Sequence, residues 1–365
     1  MSESASRVGW VDTAKGICII FVVMMHSTLG VGLAIGQEGW MHHVVAFARP
    51  FRMPDFFLIS GLFLALVIDR PWLRYVDRKV IHFLYFYILW LTIQFVFKAP
   101  GMVMENGIAS PVIEYLTAFV QPFGTLWFVY ILPIFFVITR LLKNAPVWLV
   151  LIVAAALEIL PIHTGWLIFD EFCARFVYFF AGYALASRIF TLAEWVEHNL
   201  AKTLALLAAW AAINAWLVFM PVPASLEFAL QPHGGNEGAP GPASLPVISL
   251  ALGAAGAMAI VAVSALLMKA PWARWLAWLG AHSIVVYLAF FLPMAVARTV
   301  LIRTGIITDV GTVALLVTIA GVVGPVILYA LIQWTGWGRF LFERPDWAYI
   351  DRAPARRQLA GNPAG

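Results

Sequence analysis

Apolar residues run along this chain in long blocks, separated by short clusters of Gly, Pro, Asn and charged side chains. An α-helix needs about 17–25 mostly apolar residues to cross a bilayer. The pattern predicts ten such segments, at 16–36, 44–68, 80–97, 126–142, 147–162, 173–188, 201–220, 246–268, 277–298 and 311–334. Breaks fall at turn-forming stretches such as Lys98-Ala-Pro-Gly101 and the run QPHGGNEGAPG at 231–241, where backbone groups suit water better than lipid. The longest connections on the far side, 99–125 and 221–245, are too short to fold as separate domains. No 20–50-residue repeat and no inverted repeat of the transporter kind stands out. The expected architecture is all-α: one polytopic membrane helix bundle of about ten spans over residues 1–345, followed by a cytoplasmic tail, 346–365, expected to be disordered.

Composition agrees. Hydrophobic residues make up 62% of the 365 and charged residues 12%, and the mean hydropathy is +0.89. Soluble domains average roughly 45–50% apolar and about 25% charged, so a water-soluble globule is excluded, as is a disordered chain. The first span does not read as a cleavable signal peptide, because no small-residue cleavage site follows a short apolar core. The two cysteines, Cys18 and Cys173, are far apart in apolar stretches and make neither a disulfide framework nor a metal site.

Charge changes the picture through its distribution. Of 23 lysines and arginines, sixteen fall on one set of alternate connections and the two tails, among them Arg70, Arg74, Arg78, Lys79, Arg140, Lys143, Lys269, Arg274 and Arg344. Six fall on the opposite set (Arg49, Arg52, Lys98, Arg175, Arg298 and Arg303), and Lys15 sits in the first span. The positive-inside rule then places both termini in the cytoplasm, as an even number of spans requires. The basic balance reflects topology, and nothing suggests a nucleic-acid partner.

Ionisable residues within spans are costly and commonly functional. Lys15 and His26 are eleven residues apart, so on a helix they share one face and stand about 16 Å apart along its axis. Asp12, three residues before Lys15, is placed to pair with it. Histidine takes and returns a proton near neutral pH, so His26 suits a general base deep in a tunnel with Lys15 nearer the cytoplasm. The bland alternative is a hydrogen-bonded core histidine and a lysine that reaches the headgroups. Arg49, Arg52 and Asp55 open the second span. They either face a hydrophilic cavity, binding a sugar or an anionic group, or anchor the helix at the interface. Ser60-Gly61 reads as a close helix–helix contact. Asp170, Glu171 and Arg175 border the sixth span, either at a cavity mouth or solvated. Arg78 and Lys79 open the third span and suit a phosphate-bearing donor as well as a cytoplasmic anchor. His42 and His43 fall in an outer loop, and neither they nor any HExxH or Cys/His spacing supports a metal. Walker A, GxGxxG and GxSxG motifs are all missing from the sequence.

Several segments together are familiar. Asp12-Thr-Ala-Lys15-Gly16 and the apolar run to His26 resemble the opening of the membrane acyltransferase 3 family, whose first span carries an Arg/Lys-x10-His pattern. Met53-Pro-Asp-Phe-Phe-Leu-Ile-Ser60-Gly61 is similar to its MP-x-FF-x-x-SG segment. Leu126-Trp127-Phe128 resembles its LWF motif, Phe179-Phe180-Ala-Gly182-Tyr183 its FF-x-GY segment, and Leu279-Gly280 through Ser283 to Tyr287-Leu288 its late LG-x-x-S-x-x-x-YL segment. The Lys-Gly variant is most similar to the fucose 4-O-acetylase-like branch. Two positions depart. Arg78-Lys-Val-Ile81 supplies only the first member of the family's RxxR pair, and Ala289-Phe290-Phe291 stands where a histidine often follows YL.

The resemblance implies transfer of an acetyl or other short acyl group from cytoplasmic acetyl-CoA, the co-substrate, to a hydroxyl of a cell-envelope glycan or lipid-linked sugar, in a bacterial inner membrane and without a metal. It implies catalytic roles for His26, Lys15 and Asp12, and donor binding by Lys15, Arg78 and Lys79. Acceptor binding falls to Arg49, Arg52, Asp55, Ser60, Trp127, Glu171 and Arg175. Cys18 and Ser27 are available nucleophile types should an acyl-enzyme form. A competing reading is a transporter or flippase for a lipid-linked or small anionic solute.

Overall fold

The computed structural model describes residues 9–122, 124–230 and 241–351, which fold almost wholly into helix with no strand among them. In chain order the helices are α1 (Gly9–Ile35), α2 (Trp40–Gly61), α3 (Trp72–Asn106), α4 (Ser110–Thr117), α5 (Gly124–Leu141), α6 (Val147–Ile159), α7 (Leu167–Ala184), α8 (Ala186–His198), α9 (Leu200–Phe219), α10 (Pro246–Met268), α11 (Arg274–Ala281), α12 (Ser283–Ala289), α13 (Phe291–Thr304) and α14 (Val310–Thr335). Most of the 231–241 loop and the chain beyond Asp351 lie outside the described residues.

Among the described residues six helices, α1, α3, α5, α9, α10 and α14, are long and apolar enough to cross a membrane, and two bent pairs raise the number to eight. By length and apolarity the described residues thus supply six to eight candidate crossings, which does not confirm the expected ten. Two segments account for the difference. Helix α6 has only 13 residues, about 20 Å of rise, and α2 carries Arg49, Arg52, Asp55, Pro50 and Pro54 along its length. The bent pairs are α7 with α8, at 75°, and α12 with α13, at 54°. The second bend has a local cause. Pro293 lacks an amide donor and its ring conflicts with the carbonyl four residues earlier, Ala289, which is where α12 ends.

Helix α2 also begins earlier than hydropathy suggests. The Gly39 N–H donates to His42 Nδ1 at 3.1 Å, a reciprocal cap on the helix start. His42 and His43 are thus first-turn helical residues rather than loop residues. Arg52 and Asp55, expected at the helix edge, lie well inside it and are buried. Interfacial anchoring is excluded for that pair.

Helix α1 runs through the centre, packed against α2, α10, α11 and α14. In lipid, helices associate through close packing of small residues more than through the hydrophobic effect, and the resemblance motifs supply those residues in facing pairs. A Cβ on Gly280 would fall 1.7 Å from the Asp12 carbonyl oxygen, and one on Gly16 2.3 Å from that of Leu276. Across α2 and α7, Gly61 and Gly182 abut in the same way, against the carbonyls of Phe179 and Leu58. The expected Ser60-Gly61 contact is therefore present, with Gly182 opposite. Between these contacts aromatic rings fill the core, Phe51, Phe57, Phe135, Phe179 and Phe290 among them. Leu66, Val96, Phe97, Trp216 and Val247 point outward, a surface suited to lipid rather than water.

After α14 the chain turns back. Residues 339–351, including the first six of the expected tail, lie along α3. Trp90 Nε1 donates to the Leu341 carbonyl at 3.0 Å, and Tyr85 donates to that of Phe340 at 2.9 Å.

Candidate functional site: two cavities on one helix

Helix α1 carries Lys15 and His26 into two different cavities, set apart along its axis by the eleven residues between them. The wide cavity, about 650 Å³, is lined by His26, Gln37, Glu38, His42, Thr125, Phe291 and Arg298 among others. The narrow one, about 160 Å³, is lined by Lys15, Ser60, Phe56, Phe83, Phe128, Ser283 and Tyr287 among others. The wall between them is thin. Tyr287, from the narrow side, donates its hydroxyl proton to the backbone carbonyl of Thr125, on the wide side. Phe290 stacks on the same wall, its ring centroid 5.5 Å from that of His26 and 6.3 Å from that of Tyr287. His26 is half-buried. Around it, Arg52 lies within electrostatic reach of both His26 and Asp55, and Asp55 lies against Cys18. Among the described residues neither Asp55 carboxyl oxygen meets a hydrogen-bond partner beyond its contacts with Cys18 and the Phe56 backbone.

Around the narrow cavity, Lys15 pairs with Asp12 at 3.4 Å, and Ser60 donates back to the Phe56 carbonyl at 2.8 Å. Lys79 lies over the Phe136 ring at 4.4 Å and within electrostatic reach of Arg70 and Lys15. Arg78 turns elsewhere, 3.7 Å from Asp77 and stacked 4.9 Å from the Tyr349 ring. The two neighbours diverge within the π-turn Asp77–Ile81, an irregularity that is rare in helices and frequent at functional sites.

That turn is held by a buried lock. Asp77 and Arg344 have fully buried side chains and meet at 2.7 Å. Arg344 also donates to the Asp77 backbone carbonyl at 2.7 Å, and the Ile350 N–H donates to Asp77 Oδ1 at 2.8 Å. Tyr349 stacks under the Arg344 guanidinium at 3.8 Å. A buried charge needs this degree of pairing to be tolerated.

The remaining expected residues are more scattered. Arg52 and Asp55 are buried in α2 beside the site, and neither they nor Arg49 line either cavity. Trp127 packs on Phe57, with ring centroids 6.1 Å apart, and also stays out of both linings. Glu171 and Arg175 pair at 3.2 Å within α7. Arg175 is within electrostatic reach of Glu158, which accepts hydrogen bonds from Tyr178 and Ser249 at 3.4 and 3.1 Å. This is a second polar cluster, distinct from the two cavities. Among the described residues no group of three His, Cys, Asp or Glu is arranged to hold a metal.

Sequence reasoning missed Arg298, Thr125, Tyr287 and the Asp77–Arg344 lock as site elements. Tyr287 lies in the late LG-x-x-S-x-x-x-YL segment, but its partner, 162 residues earlier, is invisible in one dimension. Asp77 carried a usable signal: a lone acid amid Arg74, Arg78 and Lys79.

Comparison with known proteins agrees with the geometry. The chain is similar to the inner membrane protein YcfT of Escherichia coli (strain K12), 26% identical over 235 residues, which cover 57% of this chain and 64% of that protein. The chain thus spans under two thirds of that relative's length. No solved structure matches it at a significant level. A family profile described as an acyltransferase domain covers residues 8–330, nearly the whole helix bundle. With both motif-glycine pairs in contact and His26 and Lys15 on one face of the central helix, the chain belongs to the acyltransferase 3 family of multi-pass membrane proteins.

Proposed function

We propose that this protein is an O-acyltransferase of a bacterial inner membrane, moving an acetyl or other short acyl group from acyl-CoA to a hydroxyl of a cell-envelope glycan or lipid-linked sugar. One observation carries the reading: His26 opens into the wide cavity while Lys15, on the same helix, opens into the narrow one, with Tyr287, Thr125 and Phe290 in the wall between them. Lys15, Arg70, Arg78 and Lys79 gather at the narrow-cavity end of α1, a basic cluster that supports a cytoplasmic setting for that cavity, where acyl-CoA is found. Lys15 and Lys79, with Arg70 nearby, present positive charge to its phosphates. Arg78 is held on Tyr349 and Asp77 and takes at most a peripheral part in that binding.

Chemically, the acceptor oxygen attacks the thioester carbonyl carbon and the C–S bond breaks. The hydroxyl proton passes to His26 and from there to the departing CoA sulfur, so the imidazole is neutral before and after. Asp12 holds Lys15 in place. Arg52 and Asp55 act as polar groups buried beside His26 rather than as acceptor contacts.

The test is acceptor-dependent release of free CoA by the purified chain in a lipid bilayer. Wild type is expected to release it, and His26→Ala to lose about 10²–10⁴-fold in rate, as removal of a general base does, while still inserting into membranes. Full activity in the variant would end the catalytic assignment. Solute movement with the thioester left intact would favour a transporter.

A further inference from the structure

The walls of the wide cavity are not electrically neutral. Arg298 projects into it from α13, and its guanidinium lies over α1 at Gly30, where a Cβ would stand 2.6 Å from Nη1. Gly30 is four residues beyond His26, one helical turn or about 6 Å along the axis. Among the described residues Arg298 makes one hydrogen bond, a long one of 3.3 Å to the Gly30 carbonyl, and no ion pair. Most of the guanidinium's five N–H donors therefore remain available to whatever occupies the cavity. Lys98 of α3 approaches from the other side. Its ammonium sits 4.5 Å from the centroid of Phe291, which lines the cavity, and 3.6 Å from where a Cβ on Gly124, beside Thr125, would be. Lys98 also lies within electrostatic reach of Arg298. The acids nearby are Glu38, exposed at the rim, and Glu114, which faces Lys98. Neither pairs with Arg298.

A guanidinium suits carboxylate or phosphate because its planar fork makes two parallel hydrogen bonds. Left one turn from the proposed base with its donors open, it is placed to hold an anionic group beside the reacting hydroxyl. Resting on the acyl-transfer reading above, we propose that the wide cavity selects an acceptor sugar bearing a negative charge, a carboxylate or a phosphate ester, bound chiefly by Arg298 with Lys98 as the second cation. The acylated hydroxyl then belongs to the charged sugar itself or to its immediate neighbour.

The experiment measures binding by the full chain in phosphatidylcholine nanodiscs, without acyl-CoA. The probes are a glucuronate-terminated disaccharide, a glucose-terminated sugar phosphate and the neutral glucose-terminated disaccharide. At least one anionic probe is expected to bind about tenfold or more tighter than the neutral one, the effect of a hydrogen bond to a charged group, and which one does so identifies the anion. Rising salt is expected to erode that advantage. Arg298→Gln is expected to abolish it and Arg298→Lys to restore part of it. Lys98→Gln is expected to weaken anionic binding about threefold, as an exposed pair does. This second variant spares the Gly30 contact should Arg298→Gln fold poorly. Equal binding of charged and neutral probes by wild type, or an undiminished preference in folded Arg298→Gln, overturns the proposal. A parallel CoA-release assay separates the two readings. Arg298-dependent anion binding without CoA release removes the acyl-transfer reading and leaves the anion site. CoA release that is indifferent to acceptor charge removes the anion site and leaves acyl transfer.

Discussion

At the Lys15 end of α1 the charged side chains are bound to one another: Lys15 to Asp12, Lys143 to Asp69 at 2.6 Å, Lys269 to Glu197 at 3.5 Å and Arg344 to Asp77 at 2.7 Å. At the His26 end, Arg298, Glu38 and His42 line a cavity about four times larger, and Arg298 holds only a carbonyl. In the first region charge organises the chain, in the second it faces open space. A site for one invariant donor benefits from fixed walls, because groups already held in place need no further ordering on binding. A cavity that receives an acceptor keeps its hydrogen-bonding groups available. The difference between the ends matches the difference between the two proposed substrates.

The sharpest way to break this contrast, after the His26 test, is Arg344→Ala. It leaves the Asp77 carboxylate buried without its partner, a loss expected to cost about 3–5 kcal/mol. A large fall in thermal midpoint, together with protease cleavage near the end of α14, is the expected result. A midpoint close to wild type would show that the lock is ornamental. Next in size, Lys15→Ala is expected to raise KM for acyl-CoA about tenfold through loss of a charge-assisted contact, with acceptor dependence unchanged and Lys15→Arg recovering most of the effect. An unaltered KM would reassign Lys15 to the headgroup region. The smallest effect is expected of Tyr287→Phe. Removing its hydrogen bond to Thr125 costs about 0.5–1.5 kcal/mol of stability and loosens the partition. Acceptor-free hydrolysis of acyl-CoA should rise as water crosses from the wide cavity. Unchanged hydrolysis would mean that the Phe290 ring alone seals the wall.

Some of the site was legible in one dimension. Lys15, His26 and Asp12 lie on one continuous helix, where spacing translates directly into direction, so their shared face and the Lys15–Asp12 pair followed from residue numbers. Gly61 announced a close contact for the same reason, since a small residue in an apolar helix has few other uses. Arg52 and Asp55 were seen as anomalous but set at the helix edge, because hydropathy registers where lipid-like residues begin and is blind to a cap such as Gly39–His42. Arg78 and Lys79 are adjacent, yet successive helical residues point about 100° apart, and Arg78 meets Asp77 and Tyr349 while Lys79 meets Phe136. Arg298 was counted only as a loop charge. Its importance comes from a neighbour, Gly30, that is 268 residues away.

From the chain alone came the solvent, the helical class and the shared face of Lys15 and His26, which depend on local composition and on a period of 3.6 residues, and the family, which its motifs carry. Tertiary structure decided how many segments are long enough to cross, which charges are tied together and which face a cavity, and how little separates the two chambers. Those outcomes hang on contacts between segments hundreds of residues apart, Asp77 with Arg344 and Tyr287 with Thr125. Such pairings are chosen by packing among helices, which no local pattern encodes.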